Sequence, residues 1–232
     1  MRAYWSDNSF TMSIVWLSHV LDSNTPLYTG ANDIRIGSQK TIDMGDSCNT
    51  SILSLPSHSG THVDAPFHFL SNGKRISDFA PEEWIFQYPK VLHIPAIPDQ
   101  MMRPTDIHEE VSKEENVDLL LLKTGFERHR LKSLYWQNGP GISIELAEHL
   151  IELFPKMRAI GMDCISVASL NDRNQGRRVH HLFLQTGSRI FEDMALSAIG
   201  VRDKLFQVIA LPLRFLPGDG APCSIIGWIQ ES

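Results

Sequence analysis

The chain has 232 residues, of which 42% are hydrophobic and 21% charged, and this balance excludes a disordered or fibrous protein. Its formal net charge of −6 argues against binding to nucleic acid, and no apolar run approaches the ~20 residues that span a bilayer. Three widely spaced cysteines fit a reducing compartment, so we expect a cytoplasmic protein without membrane or nucleic-acid partners. No internal repeat divides the sequence, which favours one domain over residues 1–232.

Short runs rich in β-branched and large apolar residues predict most of the secondary structure. The predicted strands are residues 13–20, 34–42, 50–55, 90–94, 118–123, 159–162, 207–213 and 224–229. The clearest helix covers residues 144–154, where Ser143 can cap the start and Pro155 follows the end. Shorter helices are predicted at residues 81–86 and 197–206. Many strands with a few covering helices indicate a single mixed-sheet α/β domain.

Residues 58–68 hold three histidines and one aspartate in the order His-Ser-Gly-Thr-His-Val-Asp-Ala-Pro-Phe-His. Side chains alternate between the two faces of an extended chain, so His58, His62 and Asp64 are predicted to share one face. Imidazole and carboxylate ligands suit zinc, manganese or iron, and three protein ligands leave room for water, as in a catalytic metal site. A turn at Pro66 is expected to bring His68 beside the metal as a proton carrier.

A second histidine-containing segment lies far along the chain, where His180 and His181 precede Glu192. If residues 182–184 and 189–191 form two short strands joined at Gly187, His180 and Glu192 face each other across a hairpin. An imidazole and a carboxylate in that arrangement would complete a second metal position.

The sequence of residues 58–68 resembles the signature of the cyclase family, His-x-Gly-Thr-His-x-Asp-x-Pro-x-His, and every fixed position of that signature is present. This family includes bacterial kynurenine formamidases and isatin hydrolases. Further landmarks similar to the family's follow in order at residues 17–19, 25–30, 122–125, 139–143 and 160–167. The resemblance implies a swivelling β/β/α, cyclase-like fold and a homo-oligomer of two or four chains.

The resemblance also implies roles for individual residues. The implied metal ligands are His58, His62 and Asp64 for one ion, with Asp64 bridging to a second ion held by His180 and Glu192. His68 would be the general acid/base, and Tyr28 stands where formamidases carry a substrate-stacking tryptophan. Glu192 matches the two-metal formamidases, whereas isatin hydrolases have a glutamine there and a single manganese. We therefore expect one or two Zn²⁺ per chain, with Mn²⁺ as the alternative.

The activity implied is that of a metal-dependent hydrolase acting on a small molecule. Metal-activated water would cleave an amide-type C–N bond, for example in an aryl formamide such as N-formylkynurenine. Alternatives are the opening of a cyclic amide, imide or lactone, a catalytically silent metal- or ligand-binding protein, and a subunit of an assembly. His68 and Glu192 count against a silent protein. One departure from the family is Ala168, which stands where an aspartate often follows Ser-Val.

Overall fold

The computed structural model of the chain describes residues 12–28, 30–31, 33–107 and 111–230. Its strands are β1 (Met12–Trp16), β2 (Arg35–Lys40), β3 (Thr50–Ser54), β4 (His62–Asp64), β5 (Ile85–Phe86), β6 (Pro89–His93), β7 (Met101–Met102), β8 (Leu119–Lys123), β9 (Gly141–Ile142), β10 (Ala159–Met162), β11 (Arg189–Glu192), β12 (Lys204–Pro212) and β13 (Gly220–Gln230). The helices are α1 (Ser133–Gln137), α2 (Ile144–Leu153) and α3 (Arg173–Gln185). None of the helices in this part of the chain is long and apolar enough to cross a membrane.

A mixed sheet organises the described residues. Its strand order is β5-β12-β13-β4-β11-β10-β8-β6, with β1 paired to the second half of β13. Strands β6, β8, β10 and β11 run parallel, whereas β4, β13, β12 and β5 continue the sheet in antiparallel pairs. Because β12 also packs against β6 at the other end of this order, the sheet is nearly closed on itself. The expected mixed α/β fold is thus confirmed.

Hydrophobic cores lie on both faces of the parallel strands. In β8, Leu119 and Leu121 pack into one core, and Leu120 and Leu122 pack into the other. The sequence of a strand buried on both faces is a continuous apolar run, which explains the four successive leucines. Helices α2 and α3 cover one of these faces and pack against each other. Each fully buried leucine contributes about 1.5–3 kcal/mol relative to an exposed one.

Most of the predicted elements are present with shifted ends. Each predicted strand has a counterpart whose ends lie within four residues, and helix α2 ends one residue before the predicted end. The helix predicted at residues 197–206 is wrong, because a turn precedes β12 there and the Asp203 carboxylate accepts a hydrogen bond from the Gly200 amide. The helix predicted at residues 81–86 is a single 3₁₀ turn, Pro81–Trp84, followed by strand β5.

Helix α3 replaces the first strand of the predicted hairpin. Asp172 caps the helix by accepting a hydrogen bond from the Gln175 amide at 2.9 Å. Val179 and Phe183, four residues apart, are both fully buried against the sheet. The hairpin prediction was therefore wrong for residues 182–184, since the helical spacing of these apolar residues outweighs the β propensity of a short run. Residues 189–191 do lie in a strand, β11.

Candidate active site

A cavity of about 360 Å³ lies where β4, β11 and α3 meet. The sequence-predicted site residues that line it are Tyr28, His58, His62, Asp64, His68, His180 and Glu192. Two segments more than a hundred residues apart therefore contribute to one site. The fold brings together all the residues predicted to bind metal, carry protons or contact substrate.

Strand β4 positions His62 and Asp64 between two antiparallel neighbours. Glu192 of β11 lies directly opposite His62, and Gly220 of β13 lies opposite Asp64. Val63, between the two polar residues, points away from the cavity into the hydrophobic core. The predicted alternation is thus confirmed for His62 and Asp64, which share one face of the strand.

His58 reaches the site by a different route from the predicted one. The chain is not extended from residue 58 to residue 62, because Gly60 turns it with a φ of +62°. The turn nevertheless brings Nδ1 of His58 within 2.7 Å of Oδ1 of Asp64. Gly220 leaves space for this ring, since a Cβ at that position would lie 2.4 Å from Cε1 of His58.

Both of the buried histidines orient one ring nitrogen toward the carboxylates. Nδ1 of His62 donates to the Gly60 carbonyl and Nδ1 of His180 donates to the Gly176 carbonyl, each at 2.8 Å. Nε2 of His62 then lies 3.4 Å from Asp64 and 3.5 Å from Glu192. Nε2 of His180 lies 3.6 Å from Asp64 and 3.3 Å from Glu192. These four side chains present nitrogen and oxygen lone pairs to one small volume, a donor set that fits a divalent cation.

Asp219 joins the site without having been predicted. Its Oδ2 lies 2.9 Å from Nε2 of His58 and 3.1 Å from Nδ1 of His68, and the two rings are 4.0 Å apart. The expected turn after Pro66 is present as a 3₁₀ turn, Pro66–His68, and it brings His68 to this position. In the sequence, only the Pro-Gly-Asp-Gly composition marks Asp219 as a turn residue, and nothing relates it to a histidine 161 residues away.

The candidate ligand atoms fall into two groups that share Asp64. Those of His62, Asp64 and Glu192 lie within 4.8 Å of one another, and so do those of His58, Asp64 and His68. This grouping differs from the ligand sets implied by the resemblance, which pair His58 with His62. Nitrogen and carboxylate oxygen in both groups are ligands that zinc and manganese accept.

The carboxylates change the proton affinity of the histidines around them. Burial lowers the pKa of His58, but Asp64 and Asp219 outweigh burial and raise it to about 10. Burial also acts to lower the pKa of His62 and of His180. Asp64 outweighs burial and raises the pKa of His62, and Glu192 does the same for His180. Burial acts to raise the pKa of Asp64, yet His58 and His62 hold it well below its usual range. Protons on the histidines thus offset the buried negative charge, and a divalent cation can take their place.

The loop after β10 holds the carboxylate of Glu192. The Ser166 hydroxyl and the Val167 amide donate to Oε1 of Glu192 at 2.8 and 2.9 Å, which fixes its orientation toward the histidines. Ala168, at the position of the family's aspartate, lines the cavity and contacts α3. A Cβ at Gly176 would lie 2.3 Å from the Cβ of Ala168, so helix α3 approaches the loop too closely for any side chain larger than glycine at position 176.

Aromatic side chains and two arginines form the remaining walls of the cavity. The ring of Phe69 stacks on His180 with centroids 4.6 Å apart and an interplanar angle of 23°. Tyr28 also lines the cavity and is partly buried, and burial raises the pKa of its hydroxyl, with Glu192 acting in the same direction. Arg173 and Arg177 of α3 lie at the rim. The cavity thus combines a charged floor with apolar walls, as is usual for a small-molecule site.

Comparisons with known proteins give consistent results. The Cyclase family model, described as "Putative cyclase", matches residues 15–169. The chain is 27% identical over 212 residues to the kynurenine formamidase of Bacillus cereus, covering 89% of this chain and 92% of the relative. It is 30% identical over 182 residues to that of Bacillus thuringiensis subsp. konkukian, covering 76% and 78%. Isatin hydrolase A from Labrenzia aggregata bound to benzyl benzoate has the same fold, with a TM-score of 0.77 at 22% identity over 95% of this chain and 94% of that one.

Proposed function

Since the chain belongs to the cyclase family, we propose that it is a metal-dependent hydrolase cleaving an amide-type C–N bond in a small molecule. The proposed substrate is an aryl formamide such as N-formylkynurenine. One observation carries this proposal: buried histidines and carboxylates converge on Asp64 at the floor of a cavity of about 360 Å³. Relatives that are 27–30% identical and carry the name kynurenine formamidase support the formamide over other amides.

The proposed metal is Zn²⁺, or else Mn²⁺, in one or two positions per chain. The geometry supports a first position among His62, Asp64, His180 and Glu192, and a second beside His58 that also uses Asp64. A bound cation supplies Lewis acidity, which makes water more acidic and polarises a carbonyl oxygen. Nδ1 of His62 and Nδ1 of His180 donate to backbone carbonyls, which leaves Nε2 of each ring free to hold a cation.

His68 is the proposed proton carrier. Its side chain is 30% exposed at the cavity, whereas Asp64 is almost completely buried, so His68 can exchange protons with a bound molecule. Asp219 accepts a hydrogen bond from Nδ1 of His68, which leaves Nε2 to take a proton from the attacking water and return it to the leaving nitrogen. We expect His68→Ala to lower kcat by about 100-fold or more with metal content unchanged. Loss of bound metal in this variant would instead assign His68 as a ligand.

The substrate would lie against the aromatic walls. Tyr28 and Phe69 border the cavity, and Phe69 is fixed by its stacking on His180. An aryl ring between these side chains would place its formamide group near the Asp64 cluster while excluding water from the polar floor.

The test is hydrolysis of N-formylkynurenine by the purified protein, before and after chelation, with isatin and a small lactone assayed in parallel. We expect the formamide to be the best substrate, activity to disappear with the metal and Zn²⁺ or Mn²⁺ to restore it. Turnover of isatin alone would replace the formamidase proposal by cyclic-amide hydrolysis. Bound metal without turnover of any of the three would favour a silent metal-binding protein.

The remaining proposals concern the state of the protein in the cell. We propose that residues 1–232 act as one hydrolase domain in a cytoplasmic homodimer or homotetramer that needs no membrane or nucleic-acid partner. Exposed apolar side chains support self-association: Trp16 of β1 is 65% exposed, and Met44, between β2 and β3, is 85% exposed. Sedimentation at several protein concentrations tests this oligomeric state, and a single monomeric species throughout would contradict it.

A further inference from the structure

Helix α3 contributes more to the cavity than the ligand His180. Arg173, Gly176 and Arg177 lie on the same face of the helix as His180, at the spacing that places residues one above another on an α-helix. With 1.5 Å of rise per residue, Arg177 lies about 4.5 Å and Arg173 about 10 Å from His180 along the helix axis. Gly176 packs closely against Ala168, whereas the side chains of Arg173 and Arg177 are exposed.

Neither arginine forms an ion pair with a carboxylate among the residues that the structure describes. Two other arginines do have a carboxylate partner: Arg130 pairs with Asp193 at 2.7 Å and Arg158 pairs with Asp118 at 3.0 Å. The acidic neighbour of Arg173 in the sequence, Asp172, caps α3 instead. Within the described part of the chain, the two guanidinium groups therefore have no carboxylate partner, and both are exposed beside the cavity, where a bound molecule can reach them.

The charges of the cavity are separated between its floor and its rim. The carboxylates of Asp64, Glu192 and Asp219 lie at the floor among the histidines, where a divalent cation would offset them. The guanidinium groups of Arg173 and Arg177 then remain as positive charge at the rim. An anionic group on the substrate would bind there and leave the opposite end of the molecule directed at the floor.

We propose that Arg173 and Arg177 form an anion subsite that binds a carboxylate of the aryl formamide substrate. This inference rests on the proposed amide hydrolysis and adds to it the residues that select an anionic substrate. Guanidinium groups bind a carboxylate through paired N–H donors, so the subsite fixes the orientation of the aryl ring as well as its affinity. The two arginines act in substrate binding and take no part in bond cleavage.

Steady-state kinetics on two matched substrates test the subsite. The substrates are 3-formamidobenzoate, which carries a carboxylate, and its neutral methyl ester. We expect the wild-type protein to favour the carboxylate in kcat/KM by about tenfold or more. In Arg173→Gln/Arg177→Gln this preference disappears, mainly through a higher KM for the carboxylate, so that the ratio of kcat/KM for the carboxylate to that for the ester falls to about one.

The matched control is Arg178→Gln. Arg178 is an exposed arginine on the same helix that lines a neighbouring groove rather than the cavity, so the variant removes the same charge from the same element. We expect it to retain the preference for the carboxylate. An equal loss in Arg178→Gln, or no preference in the wild-type protein, would overturn the subsite.

Binding of a reaction product tests the subsite independently of the proposed reaction. Calorimetric titration of the metal-loaded protein with 3-aminobenzoate and with its methyl ester measures the subsite without turnover. Tighter binding of the carboxylate that is lost in the double variant supports the subsite, even if neither formamide is hydrolysed and the proposed function fails. If both formamides are turned over but the double variant binds the carboxylate as tightly as the wild-type protein, the subsite is overturned. The proposed function would still stand.

Discussion

Asp64 and Asp193 are buried carboxylates near each other in the fold, but their partners differ. The Asp193 carboxylate is fully enclosed and receives hydrogen bonds from Nε and Nη2 of Arg130 at 2.7–3.1 Å and from the Tyr135 hydroxyl at 2.7 Å. Asp64 faces a cavity, and among the described residues its ion-pair partners are the imidazoles of His58, His62 and His180. The Thr61 hydroxyl links the two regions by donating to the backbone carbonyl of Asp193.

The difference shows which of the two clusters is suited to bind a ligand. Arginine carries a permanent charge, so the Arg130 pair already neutralises Asp193 and leaves no coordination site. Histidine carries charge only when protonated, so the cluster around Asp64 can exchange its protons for a metal ion. This difference supports a structural role for the Asp193 cluster and the proposed metal-binding role for the Asp64 cluster.

The largest expected effect on activity comes from Asp64→Asn. An amide in place of the carboxylate removes the group shared by both sets of candidate ligands. We expect kcat/KM to fall by about 10³-fold or more, because the Lewis acid contributes several kcal/mol. The metal-free variant should be less stable than the metal-free wild-type protein, because it loses the carboxylate that pairs with the His58 and His62 imidazoles. Kinetics, metal content and urea unfolding check these expectations, and a variant that still binds metal normally would contradict the assignment of Asp64.

The largest expected effect on stability comes from Arg130→Met. This substitution leaves Asp193 buried without its cation, which costs about 3–5 kcal/mol of unfolding free energy. Lys74→Met is the control, because Lys74 is 55% exposed and its pair with Glu83 contributes at most about 1 kcal/mol. Urea unfolding of both variants measures the difference, and equal losses would show that Asp193 does not depend on Arg130.

Much of the site could be predicted from local sequence. The period-two spacing of His62 and Asp64 predicted their common face because these residues do lie in a strand. The leucines of β8 predicted a strand from their apolar run alone. His58 was predicted from the same spacing although it is not in the strand, and it reaches Asp64 through the tight turn at Gly60 instead.

Other parts of the site depend on contacts that the sequence does not record. Helix α3 begins with polar residues and contains Gly176, so only Asp172 and the spacing of Val179 and Phe183 marked it. Asp219 reaches His58 through the pairing of β13 with β4, which no local pattern indicates. The partners of Asp193 lie 58 and 63 residues away in the chain and meet it only in the folded protein.

Metal removal tests whether the ion that stabilises the protein binds at the Asp64 cluster. We expect EDTA to lower the unfolding free energy of the wild-type protein. The loss should be about 3–4 kcal/mol if the free metal concentration before chelation was 100 to 1,000 times Kd. Asp64→Asn should show no such loss, because it holds no metal to remove. Thermal unfolding with and without EDTA measures both, and equal shifts in the two proteins would show that the stabilising metal binds elsewhere.

The smallest expected effect comes from Ser166→Ala. The variant removes one of the two donors that orient Glu192 but leaves the Val167 amide in place. We expect metal affinity to fall by about 10- to 100-fold, with a loss of unfolding free energy of about 1 kcal/mol. Competition with a coloured chelator measures the affinity, and unchanged affinity would mean that the amide alone positions the carboxylate.

The most direct measurement is the metal content per chain of wild-type protein and Asp64→Asn, purified side by side without added metal. We expect one to two equivalents of zinc or manganese in the wild-type protein and far less in the variant, with hydrolysis of the formamide following the metal. A wild-type protein that binds neither zinc nor manganese, even after either is added, would contradict the assignment of the Asp64 cluster as a metal centre.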